Sequence, residues 1–249
     1  MKLILLFTLL LACPVLGQQP DSLPALPDKT NFKSSVLIEW GLSRSLIRLP
    51  AIHAFFESNQ IERPKGFNDF ATLAIGYRQQ RFKALLQSFF GIDSRLLPPD
   101  EPVDKPLIAR RVNSGNLGLL LGYDVANLRN HRLFVHGGVG TIRYEYSVFR
   151  PSNQPTSFQH VLQNDPTGSV PSLIYTSGYW ETVVEMTQRE KRPMGFGWAA
   201  RLGYRRSLKA TAWRSDAYTW TDAPTDRISQ FYLQVGLFFS HNFRNRPDR

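Results

Sequence analysis

The segment from Phe231 to Phe243 alternates with a period of two, and this alternation restricts the folds open to the chain. Its odd positions are Phe, Leu, Val, Leu, Phe, His and Phe, whereas most of its even positions are small or polar. A period of two places the two sets on opposite faces of a β-strand. One face suits lipid and the other suits a packed or wet interior, which is the pattern of a membrane-spanning β-strand.

The N-terminus predicts export. Lys2 precedes an apolar run from Leu3 to Ala12, as in a signal peptide, and that run is too short for a helix across a bilayer, which takes about 20 residues. Cleavage after Gly17 makes residues 1–17 the predicted signal peptide. Residues 18–33 are rich in Pro, Gln and Asp and are interpreted as a periplasmic lead-in.

Cys13 leaves an alternative for the N-terminus open. It follows Leu10-Leu11-Ala12, which resembles the acylation site of a lipoprotein, although the proline after it disfavours lipidation. Because Cys13 is the only cysteine, cleavage after Gly17 leaves no disulfide and no thiolate metal site in the mature chain.

The chain is basic, with a formal charge of +10 that falls to +9 when the signal peptide, whose only charged residue is Lys2, is removed. A basic soluble protein suggests nucleic-acid binding, but export argues against that partner. The predicted partner is instead the anionic head-group and sugar-phosphate layer of an outer membrane, including lipopolysaccharide. Arginines that merely populate turns and loops explain the charge equally well.

Eight segments alternate in this way, and the connections between them alternate in length. The predicted strands are 34–44, 68–79, 82–93, 114–126, 132–148, 174–187, 195–206 and 231–243. Short connections cover 79–81, 127–131 and 188–193, whereas the long ones cover 45–67, 94–113, 149–173 and 207–228. Short turns on one side and long loops on the other predict an all-β, eight-stranded antiparallel transmembrane β-barrel over residues 34–243, with both termini in the periplasm.

The first long loop carries Ile52, Phe55 and Phe56 at helical spacing. This spacing favours a short helix that covers the barrel mouth or lies in the membrane interface. Two further strands within 45–67, which would make ten in all, are the alternative.

The repeated Gly-Tyr-Arg and Gly-Tyr-Asp triplets at 76–78, 122–124 and 203–205, with the signal peptide and the aromatic-ended last strand, resemble the small outer-membrane β-barrel proteins of Gram-negative bacteria, the class of OmpA and OmpX. The resemblance implies a cell-outer-membrane location and insertion by the barrel-insertion machinery. Residues 244–249 form a tail after Phe243, so the expected insertion signal is internal rather than a C-terminal aromatic.

The inward positions of the predicted strands, opposite the lipid-facing ones, carry many charged residues. Four acids and four bases are predicted to form a barrel-interior charge network: Glu39, Arg78, Lys83, Asp124, Glu181, Glu185, Arg201 and Arg205. An eight-stranded barrel is only wide enough to be filled by side chains, and buried charges must be paired. The preferred interpretation is an ionic plug, and the alternative is a proton or solute path.

Aromatic residues near strand ends on the lipid-facing parity predict girdles at the two membrane interfaces. The predicted girdle is Trp40, Tyr77, Tyr123, Trp198, Tyr204, Phe239 and Phe243.

No residue set predicts catalysis, a cofactor or a metal ion. The five histidines lack metal-ligand spacing, and no phosphate-binding glycine loop is present. Ser157, His160 and Asp165 in the third long loop are the nearest candidates for a catalytic trio. Residues 212–220 mix aromatic and charged side chains; they favour an extension of the last two strands over a carbohydrate- or protein-binding loop.

The predicted function is therefore that of a non-enzymatic outer-membrane barrel with a structural, surface-interaction or minor permeability role. The alternatives are an outer-membrane enzyme acting on lipid A or peptides, and a narrow channel or component of a transport assembly. The sequence leaves the oligomeric state open.

Overall fold

A computed structural model of the chain describes residues 33–62, 67–92, 107–126, 128–149 and 170–243. Within these ranges the elements are β1 (Ser34–Arg48), α1 (Pro50–Ser58), β2 (Phe67–Gln79), β3 (Phe82–Ile92), β4 (Ile108–Asp124), β5 (His131–Phe149), β6 (Val170–Gln188), β7 (Met194–Ser207), β8 (Thr211–Ala212), β9 (Thr225–Asp226) and β10 (Ser229–Phe243). The predicted signal peptide (1–17), all of the lead-in except Lys33, and the tail (244–249) lie outside the described residues.

Eight long strands close into a barrel in the order β1-β10-β7-β6-β5-β4-β3-β2. Every neighbouring pair is antiparallel, including β1 with β10, which closes the barrel. The prediction of an eight-stranded antiparallel barrel is confirmed. The ten-strand alternative is wrong, because residues 50–58 are helical and the two short strands β8 and β9 pair only with each other.

Glycine allows the closing strands to approach. Gly41 of β1 lies opposite Gly236 of β10, and a Cβ on either residue would overlap the backbone of the other strand. Only a residue without a side chain fits such a close backbone approach.

The outward positions of the strands are apolar and exposed. Leu42, Ile75 and Phe196 are 64%, 56% and 72% exposed, and aliphatic or aromatic side chains occupy equivalent positions around the barrel. Exposed apolar side chains in such a continuous band face lipid, and the fold is that of a transmembrane β-barrel. Among the described residues, no helix has the length and apolar character needed to cross a bilayer.

The end of the barrel that carries the long loops, here the long-loop end, is closed by an apolar cap. Helix α1 buries Ile52 and Phe56 in the cap, with Phe56 edge-on against Tyr146 of β5, and Trp213 from the last loop packs beside Tyr146 and Tyr175. Further members of the cap are Ile47, Leu49, Ile61, Phe70, Ala109, Ile142, Tyr144, Val148, Leu173 and Ile228. The helix therefore covers the mouth rather than lying in the membrane interface.

Candidate functional site

All eight charged residues predicted for the interior point into the barrel and are at most 3% exposed. Their strands place them there because each occupies the inward parity of an alternating segment. They do not form one network. The structure divides them among three clusters stacked between the end with short turns, here the short-turn end, and the apolar cap.

The central cluster, here called the charge ring, alternates acid and base around a closed circuit. Lys83 Nζ lies 2.7 Å from Glu39 Oε1 and 2.6 Å from Glu185 Oε1. Arg201 completes the circuit: its Nε donates to Glu185 Oε2 at 2.6 Å and its Nη2 donates to Glu39 Oε2. Four strands, β1, β3, β6 and β7, each contribute one member, so the ring fixes their relative register and carries no net charge.

His136 lies beside the charge ring and is 1% exposed. Its Nε2 is 3.3 Å from Glu185 Oε2, and its ring packs against Phe134. The imidazole occupies the space above Gly122 of β4, where a Cβ would overlap it. The sequence interpretation left this histidine out, although it shares the inward parity of Phe134.

A second cluster surrounds Arg205 between the charge ring and the cap. The guanidinium donates from Nε to Glu181 Oε2 at 2.5 Å. Its carbon lies 4.1 Å from the ring centre of Phe89 and 4.4 Å from that of Tyr232, within the range of cation–π attraction. Gln87 also donates to Glu181, at 2.6 Å. Aromatic faces thus take the place of a second carboxylate around this buried cation.

The third cluster lies at the short-turn end and contains two residues that sequence reasoning missed. Arg132 donates to Asp124 at 3.4 Å and to Glu190 at 3.3 Å, and Arg78 donates to Glu190 at 3.2 Å. Arg132 occupies an inward position at the start of β5, whereas Glu190 belongs to the β6–β7 turn, where no strand period exists to reveal its direction. With these two residues, the three clusters hold five acids and five bases among the described residues.

Asp226 of β9 joins the last loop to helix α1. Its carboxylate accepts from the backbone N–H groups of Ala51 and Ile52 at 2.7 and 2.9 Å and from Trp213 Nε1 at 2.8 Å. The helix has no side-chain N-cap of its own and no acid in its first turn, so Asp226 supplies both the capping acceptor and the negative charge. This clip holds the apolar cap together.

The residues predicted for the aromatic girdle all occupy the outward face. Tyr77, Tyr123 and Phe243 lie near the short-turn ends of their strands, and Tyr204 lies near the long-loop end of β7. Trp40, Trp198 and Phe239 sit closer to the middle of their strands, with Trp40 packing edge-on against Phe196 at 6.3 Å.

The structure provides no geometry for catalysis at the predicted trio, because Ser157, His160 and Asp165 lie outside the described residues. No group of three or more histidine, cysteine or acidic side chains within the described ranges is arranged to hold a metal ion. Of residues 212–220, Ala212 extends the chain into the short β8–β9 ribbon, while Trp213 is buried in the cap and offers no stacking face to a ligand.

No protein-family model matches the sequence, and no curated protein matches it. Among solved structures, the chain is similar to Neisserial surface protein A, with 9% identity, a TM-score of 0.47, and coverage of 82% of this chain and 95% of that one. A major outer membrane protein from Thermus thermophilus gives 10% identity, a TM-score of 0.46, and coverage of 83% and 99%. The N-terminal barrel domain of Pseudomonas aeruginosa OprF gives 10% identity, a TM-score of 0.40, and coverage of 84% of this chain and 98% of that one.

Proposed function

We propose that this protein is a non-enzymatic outer-membrane β-barrel, exported through its N-terminal signal peptide, with a closed interior and a structural or surface-interaction role. The stack of three ion-paired clusters beneath the apolar cap supports this proposal most directly. A solute crossing the barrel would have to separate buried ion pairs, at a cost of several kcal/mol each. In this arrangement the short-turn end faces the periplasm and the long loops face the cell exterior.

Lipopolysaccharide is the proposed partner at the long-loop end. Arg44 and Arg143 are exposed on the outer face near that end, where the sugar-phosphate layer would lie. Each is oriented by a neighbouring carboxylate: Arg44 by Asp69 at 2.8 Å and Arg143 by Glu145 at 3.3 Å. During biogenesis, β10 is the proposed segment that the barrel-insertion machinery reads.

Conductance tests the closed interior. The full chain is reconstituted in planar bilayers, where we expect no current steps. A variant with alanine at Glu39, Lys83, Glu185 and Arg201 keeps the interior neutral but removes the ring side chains, and an increased ion leak is expected. Steady single-channel currents from the unaltered chain would favour the narrow-channel alternative.

Catalysis is tested separately by incubating the reconstituted protein with peptides and with lipid A. We expect no turnover. Turnover that disappears in a His160→Ala variant would contradict the non-enzymatic proposal and support the enzyme alternative.

A further inference from the structure

The exposed charges at the short-turn end are all cationic among the described residues. They are Lys33, Arg81, Arg129, Lys191 and Arg192. The two acids of this end, Asp124 and Glu190, turn into the barrel and pair with Arg132 and Arg78. At the long-loop end, by contrast, exposed acids such as Glu57, Glu62 and Asp216 accompany the exposed bases. Within the described residues, the exposed charge of the short-turn end is therefore of one sign, whereas that of the long-loop end is mixed.

A cavity of about 280 Å³ lies in this cationic end, between the β6–β7 turn and β10. Its lining includes Glu190, Lys191, Arg192, Phe196, Phe238 and Ser240. Sites that enclose a whole drug-sized ligand measure roughly 300–1,000 Å³, so this cavity suits a head group rather than a whole lipid.

The cavity is built before any ligand arrives. Asn242 donates from Nδ2 to the carbonyl of Arg192 at 2.7 Å and from its backbone N–H to the carbonyl of Pro193 at 2.7 Å. Ser240 donates to the carbonyl of Gly195 at 3.4 Å. These contacts fasten the turn to β10, and a preformed site avoids the entropic cost of ordering a loop on binding.

The charge of the cavity wall is not neutralised from within. Glu190 lies in the same turn as Lys191 and Arg192, but its two carboxylate oxygens face the guanidinium groups of Arg78 and Arg132. Within the described part of the chain, neither Lys191 nor Arg192 forms an ion pair through its side chain. The wall therefore offers two exposed cations to an anionic group.

The location of the cavity identifies the source of that anion. Phe196, one of its lining residues, is 72% exposed on the lipid-facing surface, and Phe82 and Tyr123 lie at the same end of the barrel with 65% and 41% exposure. Aromatic side chains at this level mark the boundary between hydrocarbon and head groups. Phe196 thus places the outer edge of the cavity beside the membrane, whereas Phe238 and Ser240, at most 3% exposed, form its inner wall.

We propose that the cavity formed by the β6–β7 turn and β10 binds the phosphate head group of an anionic phospholipid in the leaflet at the short-turn end. Lys191 and Arg192 contact the phosphate, and Phe196 packs against the first part of the acyl chains. This site rests on the membrane placement put forward under the proposed function, and it gives that placement a specific lipid contact.

The test measures lipid preference with the full chain in phosphatidylcholine vesicles that contain spin-labelled phosphatidylglycerol. Electron paramagnetic resonance gives the association of the labelled lipid with the protein relative to labelled phosphatidylcholine. Each cation near a membrane surface contributes about fivefold to the binding of an anionic head group. Because two cations are removed, we expect Lys191→Gln/Arg192→Gln to lower the phosphatidylglycerol preference by about five- to twenty-five-fold.

Two controls make the measurement specific. Arg206→Gln/Lys209→Gln removes the same charge at the long-loop end and is expected to leave most of the preference intact. Lys191→Arg/Arg192→Lys keeps the charge and should retain the preference. Circular dichroism on the same vesicles reports whether each variant is an inserted barrel, so a failure of membrane placement is distinguished from a failure of lipid binding.

An unchanged preference in Lys191→Gln/Arg192→Gln, or an equal loss in the long-loop control, overturns the proposal. Loss of the preference on adding inorganic phosphate at millimolar concentration would assign the site to free phosphate instead. Binding of soluble peptidoglycan fragments in place of phosphatidylglycerol would likewise overturn it.

Discussion

Neutralising Glu185, one of the two acids of the charge ring, is expected to destabilise the barrel by several kcal/mol. Glu185 is fully buried and contacts Lys83 and Arg201, each at 2.6 Å. In Glu185→Gln these two cations share the single carboxylate of Glu39, so the ring carries one uncompensated positive charge. Removing one partner of a buried ion pair costs about 3–5 kcal/mol, and we expect a loss of that size in the free energy of unfolding.

Restoring neutrality should return much of that loss. The double variant Glu185→Gln/Lys83→Met leaves one acid and one base, Glu39 and Arg201, which still contact each other. Neutral replacements of buried ion pairs are often tolerated, because the desolvation penalty disappears together with the attraction. We expect the double variant to lose less than half of what Glu185→Gln loses, although it carries more substitutions.

Equilibrium unfolding in urea, with the barrel in phosphatidylcholine vesicles, provides the measurement. Tryptophan fluorescence follows the transition, and refolding from urea checks that it is reversible. Asp69→Asn is the control, because the outward Arg44–Asp69 pair is 68% and 40% exposed and solvent screens it. A loss below about 1 kcal/mol for Glu185→Gln, or a double variant no more stable than the single one, would refute charge coupling within the ring.

Three further variants test other parts of the fold. Asp226→Asn weakens the hydrogen bonds that Asp226 accepts from the N-terminus of α1 and from Trp213. Loss of such a helix cap costs about 1–2 kcal/mol, so we expect faster hydrogen exchange over residues 50–58 while the barrel stays intact. Unchanged exchange there would mean that the clip does not hold the cap. Gly122→Ala places a Cβ into the ring of His136 and should lower the free energy of unfolding by about 1–3 kcal/mol. Adding His136→Ala should restore most of this loss. A double variant as unstable as Gly122→Ala would contradict this packing. Phe243→Ala should slow insertion by the purified insertion machinery, whereas a chain that ends at residue 243 should insert as fast as the unaltered protein. Equal insertion rates for the unaltered protein, the Phe243→Ala variant and the shortened chain would show that β10 is not the insertion signal.

Alternation predicts the transmembrane part of this fold because lipid and interior impose a period of two on every strand. It predicts β5 least well, since apolar residues occur there in both parities. The structure explains this irregularity: β5 extends from the charged interior into the apolar cap, where its inward residues Ile142, Tyr144 and Tyr146 are aliphatic or aromatic, while the outward residues between them, Arg143 and Glu145, are charged.

No local sequence pattern predicts contacts between distant loops. Asp226 is 175 residues from Ala51 and accepts a hydrogen bond from its backbone N–H, but Asp226 itself lies in a segment without a readable period. Glu190 raises the same difficulty, because a turn does not specify whether a side chain points into the barrel. The helical spacing of Ile52 and Phe56 predicts α1 correctly, but only the tertiary structure identifies the carboxylate that caps it.

The interior changes character along the barrel axis, and this change accounts for the way the two ends differ. Charged side chains fill the part of the barrel surrounded by lipid, where four strands need a fixed register and each buried ion has a partner. Aromatic and aliphatic residues close the long-loop end, where loops rather than strands supply the contacts. At the short-turn end the carboxylate of Glu190 turns inward to pair with Arg78 and Arg132, while Lys191 and Arg192 remain exposed. The pairing that neutralises the interior is therefore also what makes that end of the surface cationic.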